Sequence, residues 1–223
     1  MMDLIAAHRR ALADALSELT PDQWRADSLC AGWTPAHVLA HLTMPFRISG
    51  EDFMAGLQRY GGDFTRFSDE VAARDSQLPT ADLVAVLRDS ADNPWSPPGG
   101  GLIGALSHDV IHGLDIAWPQ SLEYDIPAGA MTTVLSSVTS PLEAAADDVI
   151  ATDVHAAASG ETLFGFPLSG IRVTATDLDW SAGQGAQLAG RGRDLLPLLA
   201  GRQIPRELFD GDGVAVVWPV AAR

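Results

Sequence analysis

Lysine does not occur in this 223-residue chain; all 14 basic residues are arginine. That excludes a Schiff-base lysine and a phosphate-loop lysine, since neither chemistry proceeds without the amine. Positive charge is scarce altogether, with 14 basic against 29 acidic residues and a formal net charge of -15. An acidic chain with no cluster of arginines repels a polyphosphate backbone, so no nucleic-acid partner is expected. Cysteine is reduced to Cys30 alone, which excludes an intramolecular disulfide and a cysteine-rich zinc site. Nowhere do about 18 apolar residues run together, so no membrane span is expected. Residues 1–19 alternate charged and apolar positions and lack the apolar core of a signal peptide. The expectation is a cytoplasmic protein, monomer or homodimer, with Cys30 reduced. What is present, 47% apolar and 19% charged residues, suits a globular chain able to bury a core.

Apolar residues Ile5, Leu12, Leu16 and Leu19 recur at helical spacing and mark an amphipathic first helix. Thr20-Pro21-Asp22-Gln23 has capping-box spacing with proline at the first helical position. Thr34-Pro35 starts a second helix through Val38, Leu39 and Leu42, which Pro45 is expected to kink or break just past His41. Further helices are predicted over 64–75, 80–90 and 102–118, the last following the proline- and glycine-rich loop 94–101. Residues 128–149 also read as helical, broken near Pro141. From Gly160 onward short strands are predicted at 162–166, 171–176 and 214–218, with one helix at 192–200. The pattern implies a mainly α chain: a helical bundle, then a smaller α+β unit, with a boundary at 119–128.

Four of the six histidines form two pairs at i, i+4 spacing, His37 with His41 and His108 with His112. Such residues lie about 40° apart around a helix and one turn along it, so two imidazoles can reach one ion. His108 and His112 flank an apolar stripe of Ile103, Leu106, Val110, Leu114 and Ala117. Asp115, three residues after His112, could accept its imidazole N–H and fix the tautomer. A third histidine from a neighbouring helix would complete a three-ligand site open to water or substrate. Isolated HxxxH pairs also arise by chance on surfaces. His8 and His155 lack such partners and read as ordinary surface or core-edge residues.

Thr20-Pro21-Asp22-Gln23-Trp24, Ser28-Leu29-Cys30-Ala31-Gly32-Trp33-Thr34 and Val38-Leu39-Ala40-His41-Leu42, in that order, resemble the opening of the mycothiol-dependent maleylpyruvate isomerase family. Residues 104–118, with His112-Gly113-Leu114-Asp115, resemble that family's second metal-binding helix, and 194–202 its closing segment. The resemblance implies a DinB-like four-helix bundle over 1–122 and a sterol-carrier-like α+β domain over 123–223. It assigns His41, His108 and His112 as metal ligands, His108 standing where the characterised isomerase has a glutamate. An imidazole for a carboxylate leaves a bound ion one unit more positive and more attractive to anions. Arg202 corresponds to the family's C-terminal arginine linked to activity.

The resemblance further implies a divalent metal, zinc above all, with mycothiol as the thiol and a small electrophilic or anionic substrate. In the isomerase it implies, a thiolate adds to a cis double bond, the adduct rotates, and elimination yields the trans isomer. Arg202 could pair a substrate carboxylate bidentately. The same parts would serve thiol S-transfer to an electrophile. The alternative is a non-catalytic protein binding an apolar small molecule, with the metal bracing the bundle. Cys30 reads as a small buried residue before the second helix rather than as a nucleophile. Trp24 and Trp33 read as packing residues. Asp147-Asp148 reads as a solvated face, and Gly99-Gly100-Gly101 lacks the residues of a phosphate loop.

Overall fold

The computed structural model describes residues 1–140 and 161–219. The chain divides into two compact units, Met1–Trp95 with His108–Ile126 and Ser96–Ser107 with Pro127–Arg223. It is mainly α, and its one three-stranded sheet among the described residues lies in the second unit, giving the smaller α+β part.

The first unit holds α1 (Met2–Leu16), α2 (Pro21–Arg25), α3 (Pro35–Arg47), α4 (Gly50–Arg59), α5 (Phe64–Asp75), α6 (Thr80–Asp89) and the later turns of α7 (Gly101–Ala117). Ile5, Leu12 and Leu16 form the buried stripe that their spacing predicts. The box at Thr20 is present, with Gln23 N–H donating to Thr20 Oγ1 and Thr20 N–H to Gln23 Oε1. Around Leu12, Leu16, Leu39, Leu42, Leu83, Leu87 and Ile116 a single apolar cluster forms. Full burial of each such side chain is worth about 1.5–3 kcal/mol.

Three local expectations are corrected in this unit. The helix does not break past His41; it continues through Pro45 to Arg47. Pro45 stands near its end, where few ladder bonds remain to lose, and Arg47 bends back to donate to Ala40 O and Thr43 Oγ1. Helix α4, not anticipated, starts where Ser49 Oγ accepts the Asp52 N–H. The buried stripe of α7 begins only after its first turn, in which Ile103 is 48% exposed while Leu106, Val110, Leu114 and Ala117 are fully buried.

In the second unit α8 (Ala128–Thr139) and α9 (Gly192–Leu199) pack together beside a sheet of order β2-β1-β3. Strand β1 (Ile171–Ala175) pairs antiparallel with β2 (Ser181–Gly183) and parallel with β3 (Ala186–Gly190). Ile171, Val173 and Ala175 alternate inward, the period-two pattern that made β1 readable. Strands β2 and β3 were not anticipated, since neither contains a β-branched or aromatic residue.

Two predicted strands fold otherwise. Residues 162–166 make a turn, in which Phe164 N–H and Phe166 N–H donate to the buried Thr162 hydroxyl and Gly165 has φ +80°. Residues Gly213–Val217 form the short helix α10. The edge of β3 is taken by Asp210, which exchanges both backbone bonds with Ala189. Gly211, at φ +98°, and Gly213 lie so close to Gln187 O that a Cβ at either would clash, and the short helix follows. The remainder of the predicted helix to Val149, with Asp147-Asp148 and His155, lies outside the described residues.

Candidate metal centre

His41 projects from the middle of α3, and His108 and His112 from successive turns of α7. Their rings form a near-regular triangle, with centroids 5.0 Å apart for His41–His108, 4.9 Å for His41–His112 and 5.1 Å for His108–His112. Each offers a ligating atom within 4.8 Å of the others. His37, the other member of the first pair, is elsewhere. Its Nδ1 caps α3, 2.8 Å from the Thr34 hydroxyl and accepting the Thr34 N–H. A one-turn difference along α3 thus separates a cap from a cluster.

Every imidazole of the triangle has its Nδ1 held by an oxygen. Ser68 Oγ, from α5, lies 2.9 Å from His41 Nδ1. Asp109 Oδ1 lies 3.1 Å from His108 Nδ1, and Asp115 Oδ2 lies 2.9 Å from His112 Nδ1. Burial pushes the Asp109 carboxyl up, yet the bond with His108 and the charges of His108, Arg9 and His8 outweigh it and hold the group below the usual range. An ionised carboxylate only accepts, so His108 Nδ1 donates to it, and in the neutral ring Nε2 then presents a lone pair. That lone pair faces His41 Nε2 at 3.1 Å.

Either a proton on His41 or a cation must bridge these two nitrogens. Burial, then the neighbouring His112 and His108, push His41 down to about 2 against the opposing pull of Asp115. The ring is neutral at ordinary pH. Two nitrogens of a tetrahedral zinc site, each at about 2.0–2.1 Å from the ion, stand about 3.3 Å apart. The observed spacing is within a few tenths of that, so the donor set fits a divalent ion. His108 and His112 keep 16% and 19% side-chain exposure while His41 is 6% exposed, so access is from the α7 side.

The surrounding polar residues are less visible in sequence. Asp109 is 1% exposed and paired with the fully buried Arg9, whose Nε donates to Asp109 Oδ2 at 2.6 Å. Arg9 Nη1 also donates to Ser90 O at 3.0 Å and Asn93 O at 2.8 Å. His8, read as a surface or core-edge residue, is in fact fully buried, and burial lowers it to about 4. α1 approaches α7 closely at Gly113, where a Cβ would lie 3.1 Å from Leu12 and 2.7 Å from the Tyr124 hydroxyl.

Cys30 is half-buried, its thiol donating to Asp115 Oδ2 at 3.0 Å, 3.9 Å from His112 Nδ1. It therefore touches the centre rather than only filling a turn. Trp24 is buried in the apolar cluster, whereas Trp33 is half-buried with its ring 5.3 Å from that of His41. Arg202 belongs to the second unit, where its Nη1 donates to Ala200 O at 2.6 Å. It lines a hollow of about 530 Å³ with Arg206, Ile204 and Trp218. Another hollow, of about 400 Å³, is lined in the first unit by Arg59, Tyr60, Phe67 and Glu70 and contains none of the three histidines. No helix among the described residues is long and apolar enough to cross a membrane.

Residues 5–93 match the model of the mycothiol maleylpyruvate isomerase N-terminal domain. The crystal structure of the mycothiol-dependent maleylpyruvate isomerase aligns with 95% of this chain and 91% of its own, with a TM-score of 0.56 and 17% identity. That of a histidine-to-alanine mutant aligns over the same shares, with a TM-score of 0.55 and 16% identity. No curated protein matches the sequence. The resemblance read from the sequence is borne out to this extent: residues 5–93 match the family's N-terminal domain, and the chain has the fold of the solved isomerase.

Proposed function

We propose that the chain is a cytoplasmic, divalent-metal-dependent enzyme that activates a low-molecular-weight thiol toward a small electrophile, as an isomerase or an S-transferase. The observation that carries this reading is the triangle of imidazoles, each with Nδ1 engaged by oxygen, and with His41 and His108 facing each other through Nε2. His41, His108 and His112 would hold the ion, zinc above all, with an open position. When bound, it would supply a positive charge that lowers the pKa of an incoming thiol.

The chain's own groups set up that site. Asp109 and Asp115 orient His108 and His112 by accepting hydrogen bonds from their Nδ1–H groups, and Ser68 orients His41. Arg9 balances Asp109, so that the carboxylate keeps its charge out of water. Arg202 would pair with a substrate carboxylate. Mycothiol, named for the related isomerase, is the thiol proposed here. For isomerisation, the thiol proton leaves to solvent and an S–C bond forms at one alkene carbon. The alkene's π pair moves onto its conjugated carbonyl, and rotation follows about the carbon–carbon bond now single. Return of that pair re-forms the double bond and expels the thiolate, which regains a proton from solvent. For transfer, the S–C bond persists and the neighbouring carbon takes a proton instead. The domains proposed to carry these roles are the bundle, 1–122, and the α+β part, 123–223.

The test is thiol-dependent turnover of an unsaturated acid by metal-loaded protein, with stripped protein and His112→Ala as comparisons. Activity that requires both thiol and metal, and is lost in the variant, is expected. A metal-loaded protein that neither binds thiol nor turns over would instead fit a structural metal in a non-catalytic binding protein.

A further inference from the structure

The chain is poor in aromatic residues, with 15 in all, yet five of them, with Phe67 and Tyr60 beyond, make one run of ring contacts that reaches the imidazole triangle. Trp33 and Phe64 lie against His41, at centroid distances of 5.3 and 6.5 Å. Trp95 lies 5.5 Å from His108. Phe53 extends the run beyond Phe64 at 6.2 Å, and Phe46 beyond Trp95 at 6.3 Å. All five belong to the first unit. A core would bury such rings, but Phe64 is 46% exposed and the other four are only half-buried. Large apolar side chains left in contact with water beside a polar cluster mark a place where a ligand completes the packing.

The charges nearby narrow what that ligand is. Arginines of this unit are committed elsewhere: Arg9 to Asp109, Arg10 to Asp92, Arg25 to Asp22, Arg47 and Arg74 to Asp75, and Arg88 to Asp14. Arg66 lies over Tyr60, and Arg59 lines the separate hollow. Besides the triangle and the half-buried Cys30 thiol bonded to Asp115, what the helical unit offers a molecule there is ring surface. A compact aliphatic acid would leave that surface wet, and a cation would meet the ion's own charge.

We infer that the electrophile carries a flat aromatic body, seated against Trp33, Phe64 and Trp95, in addition to any acidic head. The inference rests on the thiol-activation reading in taking the seated molecule to be the electrophile. Phe64 and Trp95 act as specificity-determining residues, and neither is deep in the core.

The experiment compares trans-cinnamate with crotonate, which share the alkene and the carboxylate and differ in phenyl against methyl. Binding to the metal-loaded full chain is measured by titration calorimetry, with metal content read in parallel. Cinnamate is expected to bind at least tenfold more tightly. Phe64→Ala with Trp95→Ala should abolish the preference, and Phe64→Tyr with Trp95→Phe should retain it, with metal content unchanged throughout. Equal or undetectable binding of both acids to metal-loaded protein, or a preference that survives the double alanine variant, overturns the aromatic seat. A cinnamate preference in a chain that takes up no ion keeps the seat and overturns the thiol-activation reading instead.

Discussion

Replacing Arg9 by methionine removes the guanidinium bonded to the buried Asp109 and is expected to be among the most damaging single changes in the first unit. Arg9 is fully buried and Asp109 is 1% exposed, so no solvent is at hand to take over. The guanidinium bonds Asp109 Oδ2 at 2.6 Å and the carbonyls of Ser90 and Asn93 at 3.0 and 2.8 Å, and it stacks over Phe46 at 4.8 Å. Methionine keeps much of the apolar stem but no donor. Losing one partner of a buried pair costs about 3–5 kcal/mol, because the surviving charge has no compensation. For a chain of this length that corresponds to a fall in Tm on the order of 10 °C.

The assay is thermal and urea unfolding followed by far-UV circular dichroism. Adding Asp109→Leu to Arg9→Met removes the stranded charge and should recover most of the loss. Metal affinity should not recover with it, since His108 Nδ1 then has no carboxylate. Stability and site thereby separate in one cycle. An Arg9→Met protein within about 1 kcal/mol of the parent would refute the reasoning that this pair is dry and mutually dependent.

Asp115→Asn removes the carboxylate charge that orients His112 and accepts from Cys30, and should weaken metal binding about 10- to 100-fold in a chelator competition. Gly113→Ala, ordinarily helpful within a helix, should destabilise by about 1–3 kcal/mol by forcing Leu12 and the Tyr124 hydroxyl away, as read from urea unfolding. His8 is depressed from the ordinary 6.5 to about 4, so on acidification the unfolded chain takes up its proton first. Stability should therefore be unaffected by this group above about pH 6.5, fall by about 3 kcal/mol toward pH 4, and change no further below. A His8→Phe variant should lack that component of the pH dependence in equilibrium unfolding.

Local signals carried much of this architecture. The box at Thr20, the stripe of α1 and the alternation in β1 are short-range patterns, and each stands where the sequence placed it. Failures came where a distant partner decided. Val214 to Trp218 has strand composition, yet Asp210 already occupies the edge of β3. Pro45, by contrast, does not break α3 because it stands near the helix end, where few ladder bonds remain to lose. At the site, the i, i+3 step from His112 to Asp115 is visible in any helix. Ser68 comes from another helix, and the Arg9–Asp109 pair spans 100 residues, so neither leaves a periodic trace. Spacing alone leaves His37 and His41 equivalent, and in the structure the cap at Thr34 claims His37.

Metal content of untagged protein, set beside His41→Ala, His108→Ala and His112→Ala, tests the central claim most directly. The account predicts close to one divalent ion per chain in the parent and loss in all three variants. A parent that is empty and refuses added Zn²⁺, or variants that retain the ion, would contradict it.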